Sequence, residues 1–229
     1  MAGLIPGDVC VLIPAFNEAK TITALIRSVQ KAGFKVILSD DGSTDGTRNA
    51  AEAIGVQVST SGLNQGKGAC IRRGIQEFLK TDLKALVLMD GDGQHDPSEL
   101  GLFLDALSLK CADLVIGNRM ASPQGMPWVR RLTNLILSSV LSFISGQKVP
   151  DSQCGYRALT REAAQKILIR SDRFEVESEI ILDASRRGFR IASVPIRCVY
   201  ADEASRIRPI KDTFRFFSFL FHYWSRGRS

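Results

Sequence analysis

The chain has 229 residues, 45% of them apolar and 24% charged, with a formal net charge of +6. That composition excludes a disordered or fibrous chain, and the length suits one domain with a core of several strands and helices. A basic balance points to an anionic partner: nucleotide phosphates, nucleic acid or a membrane surface.

The basic excess is uneven, with ten Lys or Arg against three acids in residues 186–229, a pattern a solvated basic face also gives. Cys10, Cys70, Cys111, Cys154 and Cys198 are far apart and form no CxxC pair. A zinc site is therefore not expected, and reduced thiols in a cytosolic protein are the simplest account. Residues 1–8 do not read as a signal peptide, and no run reaches the ~18 apolar residues of a membrane span.

Residues 9–13 are an apolar run closed by Pro14 and read as a buried strand. Ile22, Leu25, Ile26 and Val29 have the spacing of an amphipathic helix over 19–32. Strands are expected at 35–39, 57–60, 85–89 and 114–117, with helices at 44–54, 67–79 and 97–110. This alternation predicts a mostly parallel α/β sheet with helices on both faces. The second half is less regular: helices at 132–145, 161–169 and 177–187, a polar turn at 151–157, and a strand at 191–200. No repeat or linker breaks the chain, so one domain over 1–229 is expected.

In such sheets ligands bind outside the carboxyl ends of the strands. Asn17 and Glu18 follow the first strand, Asp40 and Asp41 the second, and Asp90 and Asp92 the fourth. Asp90-Gly91-Asp92-Gly93-Gln94 puts two carboxylates on a tight glycine turn, with Gln94 able to add a third oxygen. Such a turn can hold magnesium or manganese with coordination positions left for substrate phosphates. As an isolated pair the acids are more often a plain turn, and Asp96 reads as a cap for the helix at Pro97. Ser43 and Asp45 read as caps for the helix behind them, whereas adjacent acids at Asp40 and Asp41 exceed what a cap requires. Gly66-Lys67-Gly68 suggests a phosphate-facing helix start, although no Walker pattern is present and Lys67 also fits a solvated lysine.

Pro14–Glu18, Asp40–Thr44, Asn64–Gly68 and Asp90–Pro97, in this order, resemble glycosyltransferase family 2. The resemblance implies the A-type glycosyltransferase fold, a Rossmann-like sheet. It implies a divalent metal on Asp90, Asp92 and Gln94, and a nucleotide-sugar pocket lined by Pro14, Asn17, Glu18, Asp41, Lys67 and Asp90. The second half resembles the polyprenyl-phosphate (dolichyl-phosphate) mannosyl- and glucosyltransferase branch. The residues are Gly117-Asn118-Arg119, Asp151 to Arg157, Glu175 to Glu179, and Ser205-Arg206. By that resemblance Arg119 and Arg206 meet phosphates, with Arg208 an alternate for Arg206. Asp151 and Gln153 contact the sugar, and Glu177 or Glu179 lines the sugar or acceptor side.

The expected activity is inverting transfer of a hexose from a nucleotide-diphosphate sugar, GDP-mannose or UDP-glucose in type, to a polyprenyl phosphate. Asp92 belongs to its catalytic set. A hydroxyl acceptor would need a carboxylate base, with Asp151 or Glu177 the candidates. A silent nucleotide-sugar-binding module is the other alternative. No nucleic-acid motif accompanies the basic segment. Segments 130–145 and 212–226, basic and apolar or aromatic, fit interfacial helices of a cytoplasmic enzyme peripheral to a membrane, or a core or dimer helix. His95 and His222 read as surface or packing residues.

Overall fold

A computed structural model describes residues 3–109, 112–173 and 175–197, with Phe216, Leu220 and Tyr223. In chain order the elements are β1 (Val9–Ala15), α1 (Ile22–Lys31), β2 (Lys35–Asp40), α2 (Thr47–Glu52) and β3 (Gln57–Thr60). They continue with α3 (Lys67–Leu79), β4 (Ala85–Leu88), α4 (Leu100–Leu109), β5 (Leu114–Asn118) and α5 (Trp128–Ser145). Last come β6 (Arg157–Thr160), α6 (Arg161–Lys166), α7 (Val176–Arg186) and β7 (Ile191–Pro195).

The strands form one seven-stranded sheet in the order β3-β2-β1-β4-β6-β5-β7. β1 and β4 are buried along their whole length, which explains their unbroken apolar sequence. α1 buries Ile22, Leu25, Ile26 and Val29, the face its periodicity predicts. Each such side chain contributes about 1.5–3 kcal/mol by leaving water.

One strand departs from the sequence reading. β6, of which only Arg157 falls within the expected polar turn, is inserted antiparallel to both β4 and β5. Its four residues Arg-Ala-Leu-Thr are too short and mixed for a pattern to show. Leu88 pairs with Arg157, so the residues before β6 arrive at the carboxyl end of β4. This reversal carries the 151–155 loop to the acidic turn. The strand expected over 191–200 ends at Pro195, and residues 198–200 lie outside the described chain.

Candidate active site

Three loops meet at the carboxyl edge of β1, β2 and β4. The first follows β1, where Asn17 takes the left-handed conformation (φ 59°). Its N–H donates to Ser43 Oγ at 2.9 Å, and its Oδ1 accepts from Thr44 N at 2.9 Å. Glu18 N donates to Thr47 Oγ1 at 2.8 Å. Ser43 thus braces the β1 loop and does not cap α2, whose N-cap Gly46 receives no side-chain bond. Asp45 does bond Thr47 N at 3.0 Å, and also accepts from Ala19 N at 3.0 Å.

The acids after β2 are structural in their contacts. Asp40 accepts from Gly42 N, Ser43 N and Thr60 Oγ1 at 3.1–3.2 Å. Asp41 is buried and accepts from Gln65 N at 3.0 Å and Gly66 N at 2.8 Å. It therefore acts as a strut between β2 and the loop before α3. The start of α3 is also not an open phosphate site. Gly68 N already donates to Asp172 O at 2.8 Å, and a Cβ on Gly68 would collide with Ser171 and Asp172 backbone. The glycines there admit a second loop of the chain, not a ligand.

Lys67 is the ordered centre of the cluster. Its Nζ lies 2.7 Å from Asp90 Oδ1 and 2.8 Å from Glu177 Oε1. Burial pushes the Asp90 carboxyl up, but the ammonium of Lys67 outweighs it and holds the group at about 2. Burial likewise works against the charge on Lys67, and Asp90 and Glu177 raise it well above its ordinary value. Glu177 is buried, and its Oε2 has no hydrogen-bond partner among the described residues. Glu179 faces elsewhere, accepting from Arg170 N at 3.0 Å and Ser171 N at 2.8 Å.

In the acidic turn, Asp92 Oδ1 accepts from Gln94 N at 3.0 Å, and Thr21 Oγ1 donates to Gly91 O at 2.7 Å. Pro14 and Glu18 border Gly91. Asp96 caps the following turn, accepting from Ser98 N at 2.8 Å as expected. His95 is a buried packing residue, stacked on Tyr156 at 4.8 Å. Its Nδ1 accepts from Asp90 N at 3.3 Å, and burial holds its imidazole down at about 4. Gly155 lies so close to Asp90 that a Cβ there would strike the carboxylate.

The third group is fully interior. Arg119 donates from Nε to Asp151 Oδ2 at 2.8 Å and from Nη2 to Oδ1 at 2.9 Å, and its backbone N–H adds a bond at 3.0 Å. Asn134 Nδ2 donates to Asp151 Oδ1 at 2.7 Å, and Ser138 joins Asn134 to Ser152. Burial pushes the Asp151 carboxyl up, but the bonds and charge of Arg119 outweigh it, leaving it below its ordinary value. Asp151 is 0% exposed. In this structure its carboxylate is taken up by Arg119 and Asn134. It orients Arg119, using two of the five N–H donors of a guanidinium. Gln153 is exposed on the same loop.

Tyr156 and Arg157 lie in the Asp151 to Arg157 stretch but carry no role of their own in the sequence reading, and Asn134 and Ser138 are not singled out by sequence. Arg157, fully buried, donates to the carbonyls of Ser152, Cys154 and Glu177 and so joins the 151–155 loop to the start of α7. The motif that contains it could not show this role, because its partners are main-chain atoms. Arg206 and Arg208 lie outside the described residues.

Among the described residues no three His, Cys, Asp or Glu side chains gather as a metal site. The acidic turn offers two carboxylates and an amide, all hard oxygen donors. That fits magnesium or manganese, which is commonly held by one or two carboxylates plus substrate phosphates.

A mostly parallel sheet with one reversed strand, and an acidic turn at its carboxyl edge, defines a glycosyltransferase of the A-type fold. The chain belongs to glycosyl transferase family 2, whose profile matches residues 10–168. It is 36% identical over 201 residues to an uncharacterised protein of Methanocaldococcus jannaschii, covering 85% of this chain and 83% of that one. It is 31% identical over 200 residues to the polyprenol monophosphomannose synthase of Mycolicibacterium smegmatis, covering 81% and 75%. Its fold is similar to that of glucosyl-3-phosphoglycerate synthase from Mycobacterium tuberculosis, crystallised with Mn2+, UDP and glucosyl-3-phosphoglycerate. The TM-score is 0.69 at 24% identity, over 90% of this chain and 74% of that one.

Proposed function

We propose that residues 1–229 form one transferase unit that moves a hexose from a nucleotide-diphosphate sugar to a polyprenyl phosphate, with inversion. The observation that carries this reading is the Lys67 bridge between Asp90 and Glu177, set beside Asp92 and Gln94 at the carboxyl edge of the sheet. The similarity to a polyprenol monophosphomannose synthase supports the acceptor.

Asp92 and Gln94, with Asp90, would hold magnesium or manganese, which supplies charge neutralisation for the departing diphosphate. Pro14, Asn17 and Glu18 form the pocket wall beside the nucleotide, with Asp41 bracing that wall from behind. An acceptor phosphate oxygen attacks the anomeric carbon as the bond to the nucleotide diphosphate breaks, and the diphosphate leaves with the electron pair. A phosphate monoester is already anionic near neutral pH, so no proton need be removed. What the step needs is positive charge against the repulsion of two phosphate groups. Lys67 and Arg119 supply it, Arg119 held in one orientation by Asp151; Arg206 is assigned to the same task. Glu177 and Gln153 are assigned to sugar hydroxyls.

A hydroxyl acceptor is the second reading, favoured by one observation: Glu177 Oε2 lacks a hydrogen-bond partner among the described residues and could serve as base. The test is incubation with manganese, labelled GDP-mannose or UDP-glucose, and dolichyl or undecaprenyl phosphate, followed by organic extraction. Label in the lipid phase with one donor is the expected result. Label only on water-soluble hydroxyl acceptors supports the second reading, and no labelled lipid with any donor overturns the first.

A further inference from the structure

The sequence reads both histidines as surface or packing residues. His222, with most of the 212–226 segment, lies outside the described residues. His95 is 4% exposed and belongs to the acidic turn itself. Its contacts do more than fill space. Met89 N donates to Leu12 O at 3.0 Å, but one residue on, the Asp90 N–H donates to His95 Nδ1 at 3.3 Å. An N–H can donate only to a ring nitrogen that carries no proton, so the imidazole proton is on Nε2.

Tyr156 sets the plane of that ring, stacked on it at 4.8 Å with the planes 22° apart. Tyr156 is itself packed on Phe103 of α4 at 4.3 Å, and its hydroxyl donates to Asp96 O at 3.3 Å. Both ends of the turn are therefore tied, Asp90 to His95 and Asp96 to Tyr156. Gly155, next in the chain to Tyr156, leaves no room for a Cβ beside the Asp90 carboxylate. Histidine combines the two contacts that position 95 makes. Phenylalanine would keep the stack and offer no acceptor, and asparagine the reverse. A carboxylate would accept the N–H but add negative charge to a turn that already holds Asp90 and Asp92.

We propose that His95 is a positioning residue of the transfer site: by accepting the Asp90 N–H it fixes Asp90 against Asp92 and Gln94, and so sets the affinity of the turn for a divalent cation. In this role it touches neither substrate nor metal, since Nδ1 is taken by the backbone. The inference deepens the proposed function and rests on its reading that Asp90, Asp92 and Gln94 hold the metal. Magnesium and manganese are hard ions that need well-placed oxygen donors, so a carboxylate free to drift is a poorer ligand. Groups that orient such ligands from behind typically matter by about 10–100-fold in metal affinity.

The test titrates Mn2+ into the full chain, alone and with GDP or UDP, and follows free Mn2+ by electron paramagnetic resonance. His95→Phe keeps the ring and loses the acceptor; His95→Asn keeps an acceptor near the Nδ1 position and loses the ring. His95→Phe should weaken Mn2+ binding by about 10–100-fold and raise the Mn2+ needed for half-maximal transfer in step, with most of the rate recovered at saturating Mn2+. His95→Asn should bind Mn2+ nearly as the parent does, even as its melting temperature falls. Parent-like Mn2+ affinity in His95→Phe overturns the proposal. So does a folded His95→Asn that loses about tenfold or more in affinity, the result that packing alone gives. Asp92→Ala, run beside them, separates this inference from the reading beneath it. Binding that Asp92→Ala removes and His95→Phe leaves intact overturns the positioning alone. Binding that Asp92→Ala leaves unchanged, or no binding by the parent, overturns the metal reading and the positioning with it.

Discussion

Lys67 neutralises two acids at once, and its removal tests how far the cluster depends on charge. Lys67→Met leaves Asp90 and Glu177 facing each other without a cation. Breaking this partly buried bridge costs less than the ~3–5 kcal/mol of a fully buried pair, and transfer should fall by about 100-fold or more. Thermal melts and steady-state rates read the two effects separately. Asp92 is not in that bridge, so Asp92→Ala should abolish transfer while the melting temperature holds; full activity would remove the metal argument. Asp151 makes a pH prediction. Its folded carboxyl sits below its ordinary value, so it adds stability above the unfolded value of about 3.9 and loses it as pH falls below that. Asp151→Asn should lower stability near neutral pH and flatten the acid side of the stability curve. An unchanged acid limb in urea melts taken across pH would contradict the assignment.

At the scale of elements, the reversed strand β6 does what no single motif announces. It delivers Gly155 against Asp90 and the 151–153 loop against Arg119. Gly155→Ala should force the Asp90 carboxylate aside, costing about 1–3 kcal/mol of stability and a larger share of activity. A kcat and melting temperature equal to those of the parent would refute this packing. β1 and β4 were legible because buried parallel strands are unbroken apolar runs, and glycine with acids marks the carboxyl ends of β2 and β4. The acidic turn was legible as a chemical pattern for the same reason. What stayed hidden was partnership. Asp41 and Asp151 have the look of ligand-binding acids, yet each is engaged by groups 17 or more residues away: Gln65 N for Asp41, and Asn134 and Arg119 for Asp151. Sequence shows a side chain's chemistry, but only the fold shows whether that chemistry is already satisfied.

Over the whole molecule, a net charge of +6 suits an anionic substrate. The proposed acceptor is the phosphate of a polyprenyl phosphate. The central claim is that a hexose, and nothing else, is moved onto that phosphate. Mass measurement of the purified lipid product tests it most directly. The account predicts polyprenyl phosphate plus one hexose residue, with a single phosphorus per lipid. A product carrying a second phosphorus, or lipid left unmodified while sugar appears on another acceptor, would contradict it.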